Sequence, residues 1–268
     1  MLPEPLFWNV HMYGIMIAVG LLGLFGILFF VGKKIGLEPR FIDFLFYAGT
    51  AAVAVGFFSA TLFQAVYDYI EDPSAGFDFG GGSTFLGGLI GGAICLFAAY
   101  FIFRRRYKNR LYDIMSLVPC CVLVAHAFGR VGCFFAGCCY GICSGTSWDV
   151  DFPKRGLHLP TQLYEAAFLF LLLGVCLFLL IKFGFKYNMS VYLIAYGVFR
   201  FIIEFWRQDD RGALVGGISP SQFWSIVMVV LGVALIFVMR YLGRLRAREL
   251  AETAAPAKAA PEETEQHA

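Results

Sequence analysis

Apolar residues in this chain gather in long runs separated by short polar, basic or glycine-rich stretches. Crossing about 30 Å of hydrocarbon takes a helix of about 20 apolar residues. Seven segments meet that length: Met12 to Val31, Phe44 to Tyr67, Phe85 to Phe103, Ile114 to Phe135, Gln162 to Ile181, Val191 to Trp206 and Gln222 to Tyr241. Polar residues interrupt the fourth and the sixth. The pattern predicts an all-α integral membrane protein of about seven transmembrane helices. No internal repeat is evident, and the glycine-rich stretch from Gly80 to Gly92 occurs once.

Composition points the same way. The 268 residues are 59% hydrophobic, 18% aromatic and only 15% charged, against roughly 45–50% apolar and about 25% charged in soluble domains. A net charge of +2, with the cations in short clusters, gives no sign of a nucleic-acid footprint. Those clusters carry topology instead, because Lys and Arg accumulate in short cytoplasmic loops. Lys33, Lys34 and Arg40 follow the first span, Arg104 to Arg110 the third, Lys182 and Lys186 the fifth, and Arg240, Arg244, Arg246 and Arg248 the seventh. The stretch from Asp68 to Asp78 is acidic, and the loop after the fourth span has only Lys154 and Arg155 as positive charges. The expected arrangement is N-terminus outside and C-terminus cytoplasmic.

Met1 to Val10 has no basic n-region and no small-residue cleavage site, so the first span is expected to be retained. Residues 1–250 are expected to form one polytopic domain. The Ala-, Pro- and Glu-rich residues 251–268 read as a disordered cytoplasmic tail.

Chemistry concentrates in three places. In the sixth span Tyr196, Arg200, Glu204 and Arg207 recur at helical spacing, which puts them on one face. An Arg near the middle of a membrane helix costs roughly 2.5–3.5 kcal/mol on insertion scales, so such residues usually face a protein interior or a wet cavity. The plainer reading is a local Arg200–Glu204 pair. The fourth span ends in His126, Gly129, Arg130, Gly132, Cys133, Gly137, Cys138, Cys139, Tyr140 and Gly141. There a guanidinium among glycines suits a phosphate, or a close-packed helix face. At the mouth of the fifth span, Thr161 can cap the helix, Gln162 follows it, and Glu165 falls near the positive end.

These blocks, in this order, resemble the prolipoprotein diacylglyceryl transferases from about residue 6 to residue 240. His11, Tyr13 and Gly14 match the family's opening motif, and Thr84 to Gly91 its third-span entry. Gly129, Arg130, Gly132 and Phe134 match the signature, Pro160 to Glu165 the fifth-span entry, and Tyr196 to Arg207 the sixth-span motif. The resemblance implies a multi-pass enzyme of the bacterial plasma (inner) membrane, embedded among membrane lipids. It would transfer the diacylglyceryl group of phosphatidylglycerol to the lipobox cysteine of a preprolipoprotein signal peptide, releasing glycerol phosphate. No cofactor is implied. Arg130 and Arg200 would bind the phosphate and stabilise the leaving group, Glu204 and Tyr13 would orient these groups, and Tyr196, Arg207 and Gln162 would line the lipid site.

The chain departs from the family at four motif positions, one of them a proposed base. Cys133 replaces an Asn of the signature, Ala136 and Cys138 replace a second Asn and a Glu, and Leu86 replaces the third-span His, a proposed base. His126, one turn before Arg130, is the substitute candidate because histidine titrates near neutrality; His158 is a weaker one. Cys133, Cys138, Cys139 and Cys143 invite a zinc or disulfide reading. However, they lack paired two-residue spacing, and adjacent Cys138 and Cys139 do not readily share an ion, so no metal is expected. Cys95, Cys120, Cys121 and Cys176 fall in apolar spans and read as small hydrophobes. Two further readings stay open: a diverged paralogue modifying another acceptor, and a non-enzymatic phospholipid-binding protein, which would need no base.

Overall fold

The computed structural model describes residues 11–73, 76–77, 79, 82, 84–153, 155–207 and 219–258. Met1 to Val10, Lys154 and residues 259–268, to which expectations were attached above, lie outside them. The described residues include seven long helices: α1 (Met12–Lys34), α2 (Pro39–Glu71), α3 (Phe85–Phe103), α4 (Val118–Ala136), α5 (Thr161–Phe183), α6 (Asn188–Ile203) and α7 (Pro220–Lys258). All seven are long and apolar enough to cross a membrane, with α6 counted through Trp206.

Several boundaries differ from the sequence reading for identifiable reasons. The fourth helix begins at Val118, not Ile114, because Pro119 is confined to a first turn; Leu111–Ile114 forms a separate short turn. The second continues through Glu71, so Asp68 belongs to the helix and not to an acidic loop. The sixth ends at Ile203, and Glu204–Trp206 tightens into a 3-10 turn. The last runs on to Lys258, into the segment whose composition reads as tail. Gly137 (φ 70°) and Gly184 (φ 59°) end α4 and α5 in the left-handed conformation that glycine adopts without Cβ strain. After α4 the Cys138 amide reaches back to the Cys133 carbonyl at 3.2 Å.

The chain divides into two compact units, Leu28–Arg110 on one hand, and Met1–Ile27 with Leu111–Ala268 on the other. In the first, α2 and α3 meet through small residues: a Cβ added at Gly56 would lie 3.0 Å from the Gly88 carbonyl, and one at Gly92 3.0 Å from that of Ala52. Such stripes let membrane helices approach closely. The entry to α3 is tied down by Thr84, whose hydroxyl donates to Gln64 at 2.8 Å, while Gln64 donates to Asp68 at 2.8 Å.

In the second unit, α1 packs on α4 where Gly20 and Gly23 face Ala125 and Val124. Asn188, buried at the start of α6, donates to the Ser116 and Cys176 carbonyls at 3.0 and 2.9 Å. Phe168 of α5 stacks on Phe199 of α6 with centroids 4.1 Å apart. Between α4 and α5 the chain forms a two-stranded antiparallel hairpin, β1 (Val150–Phe152) and β2 (Gly156–His158). Within this unit the start of α1, the end of α4, the start of α5, the end of α6 and the start of α7 all carry candidate residues.

Candidate active site

A carboxylate organises the site. Glu165, one turn into α5 and 2% exposed, lies 2.9 Å from the Nε of Arg130 and accepts the Tyr196 hydroxyl at 2.6 Å. His126 stands 3.9 Å away by its Nε2, its ring edge-on to Tyr196 at 4.8 Å and its Nδ1 3.4 Å from the Tyr192 hydroxyl. Three helices are thereby joined through one buried charge. Glu165 stands near the start of α5, as its spacing from Thr161 predicts, whereas the cap expected at Thr161 is corrected, because Pro160 holds the cap position and no side chain caps the helix. Glu165 faces an arginine on α4, and the Thr161 hydroxyl donates to the Cys139 carbonyl at 3.0 Å. Gln162, 1% exposed, donates through Nε2 to the Cys138 carbonyl.

A second ion pair lies at the end of α6. Arg200, 7% exposed, places Nη1 2.7 Å from Glu204 and donates through Nη2 to the Ser221 hydroxyl of α7 at 3.0 Å. The other Glu204 oxygen accepts from Ser219 at 3.0 Å, and Arg207 approaches the carboxylate at 3.7 Å. The local pair anticipated from sequence is thus present, but it is also anchored to Ser221 in the first turn of α7 and to Ser219 just before that helix, which spacing on α6 could not reveal. The two clusters converge on Tyr196, which lies within electrostatic reach of both Arg130 and Arg200, as does His126.

The loop after α4 is clamped over the end of α6. Gly141 donates to Leu159 at 2.8 Å, Ile142 donates to Trp206 at 2.9 Å, and Gly141 forms an isolated bridge with Arg207. A Cβ on Gly141 would sit 2.6 Å from the Trp206 carbonyl and 2.7 Å from Thr161. His158 has its ring nitrogens 3.0 and 3.1 Å from the Gly141 and Arg155 carbonyls, which gives it a structural place in this loop. Tyr13, 44% exposed, lies against Gly132, with Arg130 and the three nearby cysteines in its surroundings. Beside the Arg200 cluster an apolar groove of about 300 Å³ is lined by Leu159, Tyr164, Phe199, Ile203 and Trp206, among others.

The sulfur atoms of Cys133, Cys138 and Cys139 all lie within 4.8 Å of one another. Cys139 is the sole non-glycine residue with positive φ among the described residues (64°), a conformation that costs on the order of 1 kcal/mol or more. Hydrogen bonds from Cys133 and Cys138 hold the Cys139 thiol well below its ordinary range, with Arg207 and Arg130 adding to the effect, while sharing with Cys133 pushes Cys138 up. Cys143 is separate and faces Asp149 at 3.9 Å. Cys120, Cys121 and Cys176 are buried, and Cys95 is half-buried. Leu86 occurs in α3, in the other unit.

Residues 5–238 match the model of a family described as prolipoprotein diacylglyceryl transferase. The chain is 32% identical over 247 residues to the phosphatidylglycerol--prolipoprotein diacylglyceryl transferase of Clostridium tetani, covering 87% of this chain and 94% of the relative. It is equally 32% identical to transferase 2 of Clostridium perfringens, over 88% of this chain and 93% of that one. The same identity holds for the Coxiella burnetii transferase, over 84% and 88%.

Proposed function

We propose, from the premise that this chain belongs to the prolipoprotein diacylglyceryl transferase family, that it moves the diacylglyceryl group of phosphatidylglycerol onto the cysteine thiol of a prolipoprotein. It is a multi-pass membrane protein. Lys182 in the last turn of α5, Lys186 between α5 and α6, and Arg240 to Arg248 late in α7 occupy the helix ends opposite to the site. By the positive-inside rule those ends are cytoplasmic. The site then lies in the outer half of the bacterial inner membrane, where a lipobox cysteine beside its signal peptide arrives, and the N-terminus is outside.

The observation that carries the reading is that two guanidiniums from different helices, Arg130 and Arg200, both act on Tyr196. Each is held by its own carboxylate. A guanidinium has five N–H donors in a planar fork, so pairing with one carboxylate leaves donors for a phosphate. Charge develops on the leaving phosphate oxygen as the thiolate attacks the glycerol carbon, and preorganised cations aimed at such charge lower the barrier. Glu165 and Glu204 act by positioning the two arginines. Tyr196, Tyr13 and Gln162 border the head group, with Arg207 at the Glu204 end and His126 beside Tyr196. The apolar groove next to Ile203 suits an acyl chain.

The test is complementation in a strain depleted of its own transferase, with Arg130→Ala as control. Restored lipidation that the substitution abolishes supports the reading. Absence of lipidation despite membrane expression overturns it. That result would favour a diverged paralogue modifying another acceptor, or a phospholipid-binding protein without catalysis, the reading to which Leu86 at the family's histidine position lends weight.

A further inference from the structure

The arginines account for the phosphate, but with Leu86 at the family's histidine position the acceptor thiol lacks its expected base. We propose that Cys133, Cys138 and Cys139 form a three-thiolate site for a thiophilic d10 cation, zinc foremost, and that the acceptor thiol takes the fourth position during transfer. The first half stands on the cysteine geometry alone; the second rests on the transferase reading above.

The donor geometry fits. Zinc–sulfur bonds of about 2.3 Å place the sulfurs of a tetrahedral site roughly 3.8 Å apart, and the three sulfurs here already lie within 4.8 Å of one another. The objection that neighbouring cysteines point apart is met at Cys139. Its φ of 64° turns the chain so that adjacent thiols converge on Cys133 at the end of α4. The loop is held in that shape from outside, because Gln162 and Thr161 donate to the carbonyls of Cys138 and Cys139. An all-sulfur donor set selects zinc or monovalent copper and disfavours magnesium and calcium, which take oxygen ligands. Three thiolates and a dication leave one negative charge, and the guanidiniums of Arg130 and Arg207 are close enough to act on Cys139 and offset it.

Three protein ligands with one open position is the pattern of a catalytic zinc, in contrast to the closed four-ligand structural kind. A thiol that binds zinc is deprotonated outright. The acceptor S–H proton passes to water as the sulfur binds. The thiolate then attacks the glycerol carbon, the S–C bond forms, and the C–O bond to phosphate breaks. The bonding electron pair leaves on the phosphate oxygen as glycerol phosphate. The product thioether is neutral, binds zinc weakly, and departs, freeing the position for the next acceptor.

The full-length protein, purified from membranes in detergent, is expected to carry about one zinc per chain by elemental analysis. Cys133→Ser and Cys139→Ser are expected to lower this below about a tenth, with Cys143→Ser unchanged. Should a serine variant fail to fold, cobalt loading of the unmodified protein decides. A thiolate-to-cobalt charge-transfer band is expected, and it should shift on adding a lipobox peptide bearing cysteine but not its serine counterpart. Absence of zinc and of the cobalt band, with the three thiols freely alkylated or joined in a disulfide, overturns the site. Full-rate transfer by zinc-free protein overturns the activation step and leaves the transferase reading standing. Zinc binding and the peptide-induced shift, without transfer from phosphatidylglycerol, sustain the site and sink the transferase reading instead.

Discussion

Glu165 and Arg130 form an ion pair of 2.9 Å between α5 and α4, with the carboxylate only 2% exposed. A charge so placed has little water to fall back on. Removing one partner of a buried pair typically costs about 3–5 kcal/mol, because the other charge is stranded. Glu165→Ala is therefore expected to lower thermal stability in detergent sharply and to abolish transfer. Glu165→Gln, which can still accept from Tyr196, is expected to retain part of the stability and little activity. A double-mutant cycle with Tyr196→Phe measures the coupling; additive effects would show that the 2.6 Å hydrogen bond does not hold Glu165 toward Arg130.

Arg200 makes two contacts at once, to Glu204 and to Ser221 of α7. Lysine keeps the charge but is a point donor without the planar fork. Arg200→Lys is expected to fold and to insert, yet to lose on the order of 10²-fold in kcat/KM, the scale of removing a preorganised charge-stabilising donor. Activity close to the unmodified protein would mean that charge alone suffices at this position.

The helices were legible because membrane spans are written in run length, and run length survives any packing arrangement. Arg130 and Arg200 were legible because a guanidinium inside an apolar run has few structural excuses. Glu165 was not. Four residues after Thr161 it fits a capping role by local spacing, and its partner on α4 is 35 positions upstream, beyond any helical periodicity. Ser219 and Ser221 were missed for the same reason, since their role is defined by Glu204 and Arg200 on another helix. The cysteine trio was seen as a composition but judged a poor ligand set, because nothing in the sequence announces that Cys139 adopts a left-handed backbone.

Asp149 gives the loop between α4 and α5 a pH response. Desolvation works against its charge, but the Ser144 hydroxyl at 2.8 Å and the Gly145 and Ser144 amides at 2.8 and 3.0 Å hold its carboxyl below the ordinary value. A depressed pKa in the folded loop stabilises it above the unfolded value of about 3.9, and that contribution is lost as pH falls through the folded value. Hydrogen exchange at Ser144 and Gly145 is therefore expected to be slow at neutral pH and to lose protection on strong acidification. Asp149→Asn should lack that transition. Equal protection in the two proteins at neutral pH would remove the carboxylate from the account.

Gly141 offers the most local test of how the loop is seated over the site. An added Cβ would come 2.6 Å from the Trp206 carbonyl and 2.7 Å from the Thr161 side chain, and the first of these is backbone that cannot swing aside. Gly141→Ala must therefore lift the loop from the end of α6, lengthening the bond from Ile142 to Trp206 and disturbing the Arg207 bridge. Because Thr161 and Gln162 grip the same loop through Cys139 and Cys138, the displacement reaches the cysteine cluster as well. The expected result is a modest loss of thermal stability but a large loss of transfer, with faster alkylation of Cys138 and Cys139 than of Cys143. Unchanged alkylation rates together with lost activity would locate the damage at Arg207 alone and not in the loop as a whole.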